Sequence, residues 1–544
     1  MRSRRRRSAP RGPWFALGTL LLVGLGTAGA LYALGPRPPL RAALGHSPGE
    51  PAAGGGAAAP TPAGPFENRF DGYAIDRPAG WTVEAGDPPV ETVLNGPGAR
   101  LSLFVQDVSK LPGKAEEYIL YGNKSVLQGW NGLQLLDRQQ STVAGRPAWV
   151  LRWRRPALRT LPDDENEYRE IDLALPGDRV ATLLLKATPA AMDAASAAQD
   201  AIAASWQVRP AGEPPQWQPD NTPGRKLEAL QGGALRWQLP AAGALLGIYD
   251  ERLHPVRWHL DQVQAWEQQF GGKFGVITTY QHFPDAFPAA SLEQAARDGR
   301  LTLLTLQSWH PIPKDKVVDT ATSLTLEVLD GQWDDYLHQY ARAAAAWGRP
   351  FLLRFDNEMN SDWVPWGAYQ YGKDAELYRL AWRHVWQIFQ DEGAINAVWV
   401  WNPNGGTHPD WQWNHESLFW PGGQYVDMVG LTAYNFAGCM NAPWISFADG
   451  IAPAYAEYSR LYPGKPLIIP EFASHDAPGD QAAWLRQAFA DLKQRFPAIK
   501  MAVWWNGADR GCHMDLGATP ALRGVVRSAL ADPYFAGTVR FASP

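Results

Sequence analysis

The stretch Pro350-Phe351-Leu352-Leu353-Arg354-Phe355-Asp356-Asn357-Glu358-Met359-Asn360-Ser361-Asp362-Trp363-Val364-Pro365-Trp366 decides how this chain is read. Its first half is a short apolar run of the kind that forms a strand buried on both faces. A glutamate then follows at the strand end, with two tryptophans just beyond. A carboxyl group beside flat aromatic surfaces suits the cleavage of a sugar chain, because a ring face can lie against the C–H face of a pyranose. A second carboxylate with the same placement stands at Glu471, in Pro466-Leu467-Ile468-Ile469-Pro470-Glu471-Phe472.

Working outward, eight strand candidates begin at Leu245, Phe274, Leu301, Phe351, Ala397, Val426, Leu467 and Met501. Amphipathic stretches such as Trp258 to Gln269, Trp333 to Trp347, Ala375 to Asp391 and Gln481 to Arg495 separate them. Eight strand–helix repeats predict an α/β fold, a (β/α)8 TIM barrel over residues 243–536, with its active site at the C-terminal strand ends. Glu358 closes the fourth strand and Glu471 the seventh, so the two would face each other across the barrel mouth. Separations of about 5–5.5 Å and about 6.5–9.5 Å between two such carboxyls distinguish retaining from inverting hydrolysis.

The barrel region, roughly residues 243 to 536, resembles glycoside hydrolase family 26, known for endo-β-1,4-mannanases and part of a clan of retaining barrel hydrolases. Glu358-Met359-Asn360-Ser361-Asp362-Trp363 with Pro365-Trp366-Gly367 is the most specific part of the likeness. The resemblance implies Glu358 as general acid/base and Glu471 as nucleophile. It also implies a substrate-facing His310, in Gln307-Ser308-Trp309-His310-Pro311, and Tyr434 as a partner of the nucleophile. The chain departs from the family at Asn357, where the family carries histidine. Other families of the clan carry asparagine there, reading the sugar 2-hydroxyl, so the preferred sugar could differ. The expected enzyme cleaves a β-linked polysaccharide with retention and endo action, β-1,4-mannan first. A β-glucan, an exopolysaccharide, or a non-catalytic carbohydrate-binding role are the alternatives.

Further site expectations rest on residue type. Arg354 is a candidate partner for a site carboxylate. Trp309, Trp363, Trp366, Trp401 and Trp504 are candidate sugar platforms, with Trp505 pointing the other way from Trp504. The two cysteines, Cys439 and Cys512, fall in loops after strands six and eight; a disulfide bracing those loops is one reading and two free thiols the other. No His-Glu-x-x-His, paired Cys-x-x-Cys, P-loop or Gly-x-Ser-x-Gly run occurs, so no cofactor or metal is expected.

Ahead of the barrel, residues 66–210 predict a small α+β domain without catalytic residues. Its strands include Arg146 to Arg154, Tyr168 to Leu175 and Val180 to Lys186, and its helices Glu116 to Gln128 and Ala190 to Trp206. Phe70-Asp71-Gly72-Tyr73 and Arg77-Pro78-Ala79-Gly80-Trp81 resemble the small secreted domains related to the photosystem II protein PsbP. A proline-rich linker is expected over 211–242, and a Pro/Ala/Gly-rich tether over 36–65. Residues 1–35 read as an arginine-rich cytoplasmic tail followed by an apolar membrane anchor, Pro13 to Gly35. A cleaved signal peptide is the alternative. Either places the rest outside the cytoplasm. The first 35 residues hold six arginines and no acid, which leaves 44 basic against 55 acidic residues in the remainder. That mildly acidic balance argues against nucleic acid as the main partner, and a monomer is expected.

Overall fold

The computed structural model describes residues 63–84, 90–129, 132–213, 217–224, 239–240, 242–250, 260–309, 324–439, 442–476, 479–509 and 511–535. The expected anchor and the expected tether as far as residue 62 lie outside these residues, while the tether's last residues, Gly64 and Pro65, belong to a strand instead. Among the described residues no helix is long and apolar enough to cross a membrane.

The first part is antiparallel. Strands β1 (Gly64–Asn68) and β2 (Tyr73–Arg77) pair with each other. A seven-stranded sheet is built from β3 (Thr82–Val83), β4 (Thr92–Gly96), β5 (Ala99–Asp107), β6 (Gln134–Val143), β7 (Arg146–Arg154), β8 (Glu167–Leu175) and β9 (Arg179–Ala187), in the order β3-β4-β5-β9-β8-β7-β6. The sequence reading lacked β6, whose residues are nearly all exposed and show no inward–outward alternation. Helices α1 (Lys114–Gly122) and α2 (Lys124–Gln128) replace the single expected helix; Asn123 breaks it and is fully buried. Helix α3 (Met192–Ser205) and the two-residue β10 (Gln207–Val208), which pairs with β2, end this part.

The second part is a closed barrel of eight parallel strands in sequence order. They are β11 (Leu245–Asp250), β12 (Val276–His282), β13 (Leu301–Gln307), β14 (Phe351–Phe355), β15 (Ala397–Trp401), β16 (Met428–Asn435), β17 (Leu467–Ser474) and β18 (Ile499–Asn506). All eight strand starts fall within two residues of the sequence expectation, and five of them, those of β11, β13, β14, β15 and β17, coincide with it. Leu245, Val276, Leu301, Leu303, Leu352, Val398, Val400, Met428, Ile468, Met501 and Val503 fill the barrel interior. Residues of opposite parity face the surrounding helices, as period-two strands require.

The two parts share one core. Phe104, Tyr118, Trp153 and Tyr168 from the antiparallel part pack in the same apolar cluster as Tyr369, Tyr371, Trp411 and Trp413 from the barrel part. Charged groups are buried in that junction. Lys373 Nζ lies 2.7 Å from Glu170 Oε1, both side chains fully buried, and donates to Asn123 Oδ1 at 3.0 Å. Lys186 Nζ meets Asp374 at 3.1 Å and Glu376 at 2.5 Å, and Tyr168 OH donates to Asp374 at 2.9 Å. Gly372 makes the approach possible. Its φ is +85°, and a Cβ there would sit 3.0 Å from the Trp153 ring.

Candidate active site

Beyond the end of β14 the backbone enters a left-handed conformation at Asp356 (φ +41°) and again at Glu358 (φ +58°). Non-glycine residues persist there only when their surroundings hold them. Here Ser308 donates from both its N–H and its hydroxyl to the Asp356 carboxylate, each at 2.7 Å. Glu358 N donates to Asn402 O at 2.7 Å, Trp366 Nε1 to Asn357 O at 2.7 Å, and Tyr378 OH to Asp356 O at 3.1 Å. Five bonds thus pin three residues, and the third is Glu358. Burial also pushes the Asp356 carboxyl up to about 7, against the Ser308 bonds.

Glu471 reaches the mouth by a different device. Ile468 points into the barrel, whereas Ile469 and Phe472 pack outward. Strict alternation allows no inward residue directly before Phe472. The registers show one extra residue in β17: Gly430 pairs with Ile468 and Thr432 with Glu471, while Ala502 pairs with Ile469 and Trp504 with Phe472. This bulge falls at Pro470-Glu471 and turns the carboxylate inward, a re-aiming that bulges commonly perform. Proline tolerates the position because it has no N–H to leave unpaired.

Around Glu471 the partners are dense. Arg354 Nη2 lies 2.6 Å from Oε1, Tyr280 OH donates to Oε1 at 2.5 Å, and Tyr434 OH donates to Oε2 at 2.7 Å. Arg354 is itself held by Thr305 Oγ1 at 2.8 Å and Asn402 Oδ1 at 3.0 Å. Asn402 fits there because residue 430 is glycine; a Cβ on Gly430 would lie 2.7 Å from the Asn402 Cβ.

The two glutamates are driven apart in acidity. Burial is the largest influence on Glu358, and the Glu471 charge adds to it; together they outweigh Arg354, the Thr432 hydroxyl and the Trp363 indole, and raise its pKa to about 7. Burial also acts to raise Glu471, but the Arg354 guanidinium, with the Tyr280, Tyr434 and Arg354 hydrogen bonds, holds it below the usual glutamate range. One carboxyl is thereby suited to hold a proton near neutrality and its neighbour to stay ionised.

The other expected residues divide. Arg354, Tyr434 and Asn357 join the two glutamates; Asn357 is buried and accepts from Gln307 Nε2 at 3.0 Å. Trp363 is 40 % exposed beside Glu358, its ring 5.1 Å from His408. Trp309 is part-buried, with its ring 4.8 Å from His282. His310 lies outside the described residues.

Three tryptophan expectations are corrected. Trp366 is 3 % exposed, with its indole committed to Asn357 O. Trp401 is fully buried on the outward face, against Trp420 and Tyr462. Trp504 also faces outward, against Phe472 and Trp484. Its neighbour Trp505 is the inward one, stacked on Tyr249 at 5.2 Å and 6.4 Å from Tyr434. Trp505 shares parity with the interior residues Met501 and Val503, as Tyr280 does with Val276, and that was the available signal for both.

Cys439 and Cys512 form a disulfide, Cα–Cα 5.7 Å, which joins the loops after β16 and β18 over the end of β17. Among the described residues no group of three or more His, Cys, Asp or Glu side chains is arranged to hold a metal ion.

Residues 265–447 match the family model described as Glycosyl hydrolase family 26. Endoglucanase H of Acetivibrio thermocellus is 32 % identical over 276 residues, 48 % of this chain and 28 % of that protein. Mannan endo-1,4-beta-mannosidase of Bacillus subtilis (strain 168) is 28 % identical over 167 residues, 29 % of this chain and 40 % of that protein. The chain therefore matches well under two thirds of either relative's length. A solved structure titled Cellulomonas fimi endo-beta-1,4-mannanase double mutant aligns with TM-score 0.42 and 20 % identity, over 54 % of this chain and 71 % of that one. Glycosyl hydrolase family 26 is the family that the sequence matches support for this barrel, and the family-model match contains Glu358 and ends before Glu471.

Proposed function

We propose that the barrel is a retaining, endo-acting glycoside hydrolase of a β-linked polysaccharide. The observation that carries the two-carboxyl chemistry is the divided acidity of the strand-end groups, Glu358 raised to about 7 and Glu471 held low, while retention and endo action rest on the likeness to family 26. Glu471 attacks the anomeric carbon while Glu358 passes its proton to the departing glycosidic oxygen. The sugar is left as an ester on Glu471. Glu358, now a carboxylate, takes a proton from water as that water attacks the same carbon, and both residues return to their starting states. Arg354, Tyr280 and Tyr434 hold the Glu471 carboxylate in place, and on this reading Asn357 binds the sugar 2-hydroxyl.

β-1,4-Mannan is the leading substrate, in keeping with the mannan endo-1,4-beta-mannosidase relative. Asn357 and the likeness to an endoglucanase favour a β-glucan as the second reading. Export of the protein, anchored by Pro13 to Gly35 or released after cleavage, and a PsbP-like character for the antiparallel part belong to the same proposal.

Reducing-end assays on mannans, β-glucans and exopolysaccharides test it, with Glu358→Ala and Glu471→Ala alongside. Cleavage of one polymer, lost in both variants, is expected. No cleavage by the parent protein, or cleavage that survives both changes, would overturn the assignment in favour of a carbohydrate-binding barrel.

A further inference from the structure

Helix α1 is anchored by Tyr118, Ile119 and Gly122, all buried, yet it leaves Leu120 42 % and Tyr121 39 % exposed. Tyr121 is not loose. Its hydroxyl donates to the Asp362 carboxylate across the junction between the two parts of the chain. Its ring lies 5.4 Å from Tyr369 and 5.6 Å from Trp411. The start of α2 is tied down as well, by Ser125 Oγ donating to Tyr369 O at 2.6 Å. Asp362 directly precedes Trp363, the exposed tryptophan whose indole faces Glu358. The adjoining residues Asp362 and Trp363 thus link the acid/base carboxyl to a tyrosine supplied by the antiparallel part.

A ring held on one edge by a hydrogen bond and open on the other loses little freedom when a flat ligand settles on it. Tyrosine offers an apolar face for sugar C–H groups and a polar rim. A protein partner would call for a broad apolar patch. The exposed rings here are few, and they connect to the hydrolytic site through Asp362 and Trp363 instead.

We propose that Tyr121 and Trp363 form one sugar-binding platform across the junction, Tyr121 holding a unit of the polysaccharide beyond those seated at Glu358 and Glu471. The proposal rests on the hydrolase reading. The antiparallel part is on this account a wall of the substrate cleft rather than a spacer. Its contribution is felt by long chains and not by short ones.

The test compares kcat/KM of the full chain and of Tyr121→Ala on the cleaved polymer and on the shortest oligosaccharide it cleaves. Tyr121→Ala is expected to lose about 3- to 10-fold on the polymer, chiefly through KM, with little change on the short substrate. Tyr121→Phe, which keeps the ring and drops the bond to Asp362, should retain most of the polymer activity. Equal losses on long and short substrates, or no loss on either, would overturn the platform and leave the hydrolase reading intact. Absence of cleavage by the parent would overturn both. Should Tyr121→Ala fail to fold, Tyr121→Leu, which keeps bulk without a flat ring, is expected to show the same length-dependent loss, and its absence would overturn the platform.

Discussion

Arg354 Nη2 lies 2.6 Å from Glu471 Oε1, with neither side chain more than 9 % exposed. A buried pair of this kind is costly to halve, because the remaining charge has neither water nor a partner. Arg354→Met should therefore cost ~3–5 kcal/mol of stability at neutral pH. Without the guanidinium, burial raises the Glu471 pKa. The penalty should shrink in acid, once Glu471 can protonate. Urea unfolding of parent and variant at two pH values checks this; an equal loss at both would count against it.

The divided glutamates set the pH dependence of catalysis. Glu358 must carry a proton, so kcat/KM should fall as the pH rises through about 7. Glu471 must be ionised, so activity should fall on the acid side only below the usual glutamate range. In Glu358→Gln the alkaline limb should vanish. Activity on the polymer should drop by ~100- to 10,000-fold.

The same shift has a consequence for stability. The folded state binds the Glu358 proton more tightly than the unfolded chain does. Stability from this group is thus complete below the ordinary glutamate pKa and is lost as pH rises through about 7. Glu358→Gln should raise the melting temperature relative to the parent above that pH, with a gain that fades in acid. A thermal series across pH gives the answer.

Tyr280 was not anticipated, and its hydroxyl contacts the proposed nucleophile at 2.5 Å. Tyr280→Phe removes a donor to a carboxylate, a bond worth about 1.5–3 kcal/mol. The Glu471 pKa should rise, and the acid limb of kcat/KM should move upward with it. An unmoved limb would assign Tyr280 to packing alone.

Lys373 tests the junction. Lys373→Met leaves Glu170 buried beside Asp172, whose carboxyl burial already holds well above the ordinary range. A loss of ~3–5 kcal/mol is expected. Unfolding followed by tryptophan fluorescence should stay a single transition, because both parts lose their common core together. Two separated transitions would contradict a shared core.

The sequence made the barrel legible because eight apolar runs recur between amphipathic helices, and strand ends carry the chemistry in such a fold. Glu358 and Glu471 could be found from that placement, Arg354 from its residue type, and Tyr434 from the resemblance to family 26. The facing of Trp401, Trp504 and Trp505 could not be judged by hydrophobicity, since strands buried on both faces have no polar side. Their orientation follows from parity with interior neighbours such as Val400 and Val503. Parity in turn misleads at Glu471, where the Pro470 bulge adds a residue. The junction was hidden for another reason: Lys373, Glu170 and Lys186 read as surface charges until their partners, some 200 residues away, are known.

The charges buried between the antiparallel part and the barrel bear on how this chain can change over generations. A gene rearrangement that moved the barrel alone into another protein would strand Lys373 without its counter-ion and uncover Trp411 and Trp413. The reverse transfer would strand Glu170. Descendants should keep the pair in one reading frame, and substitutions on either side of the seam should be answered on the other. The smallest heritable catalytic module in this lineage is then larger than a barrel.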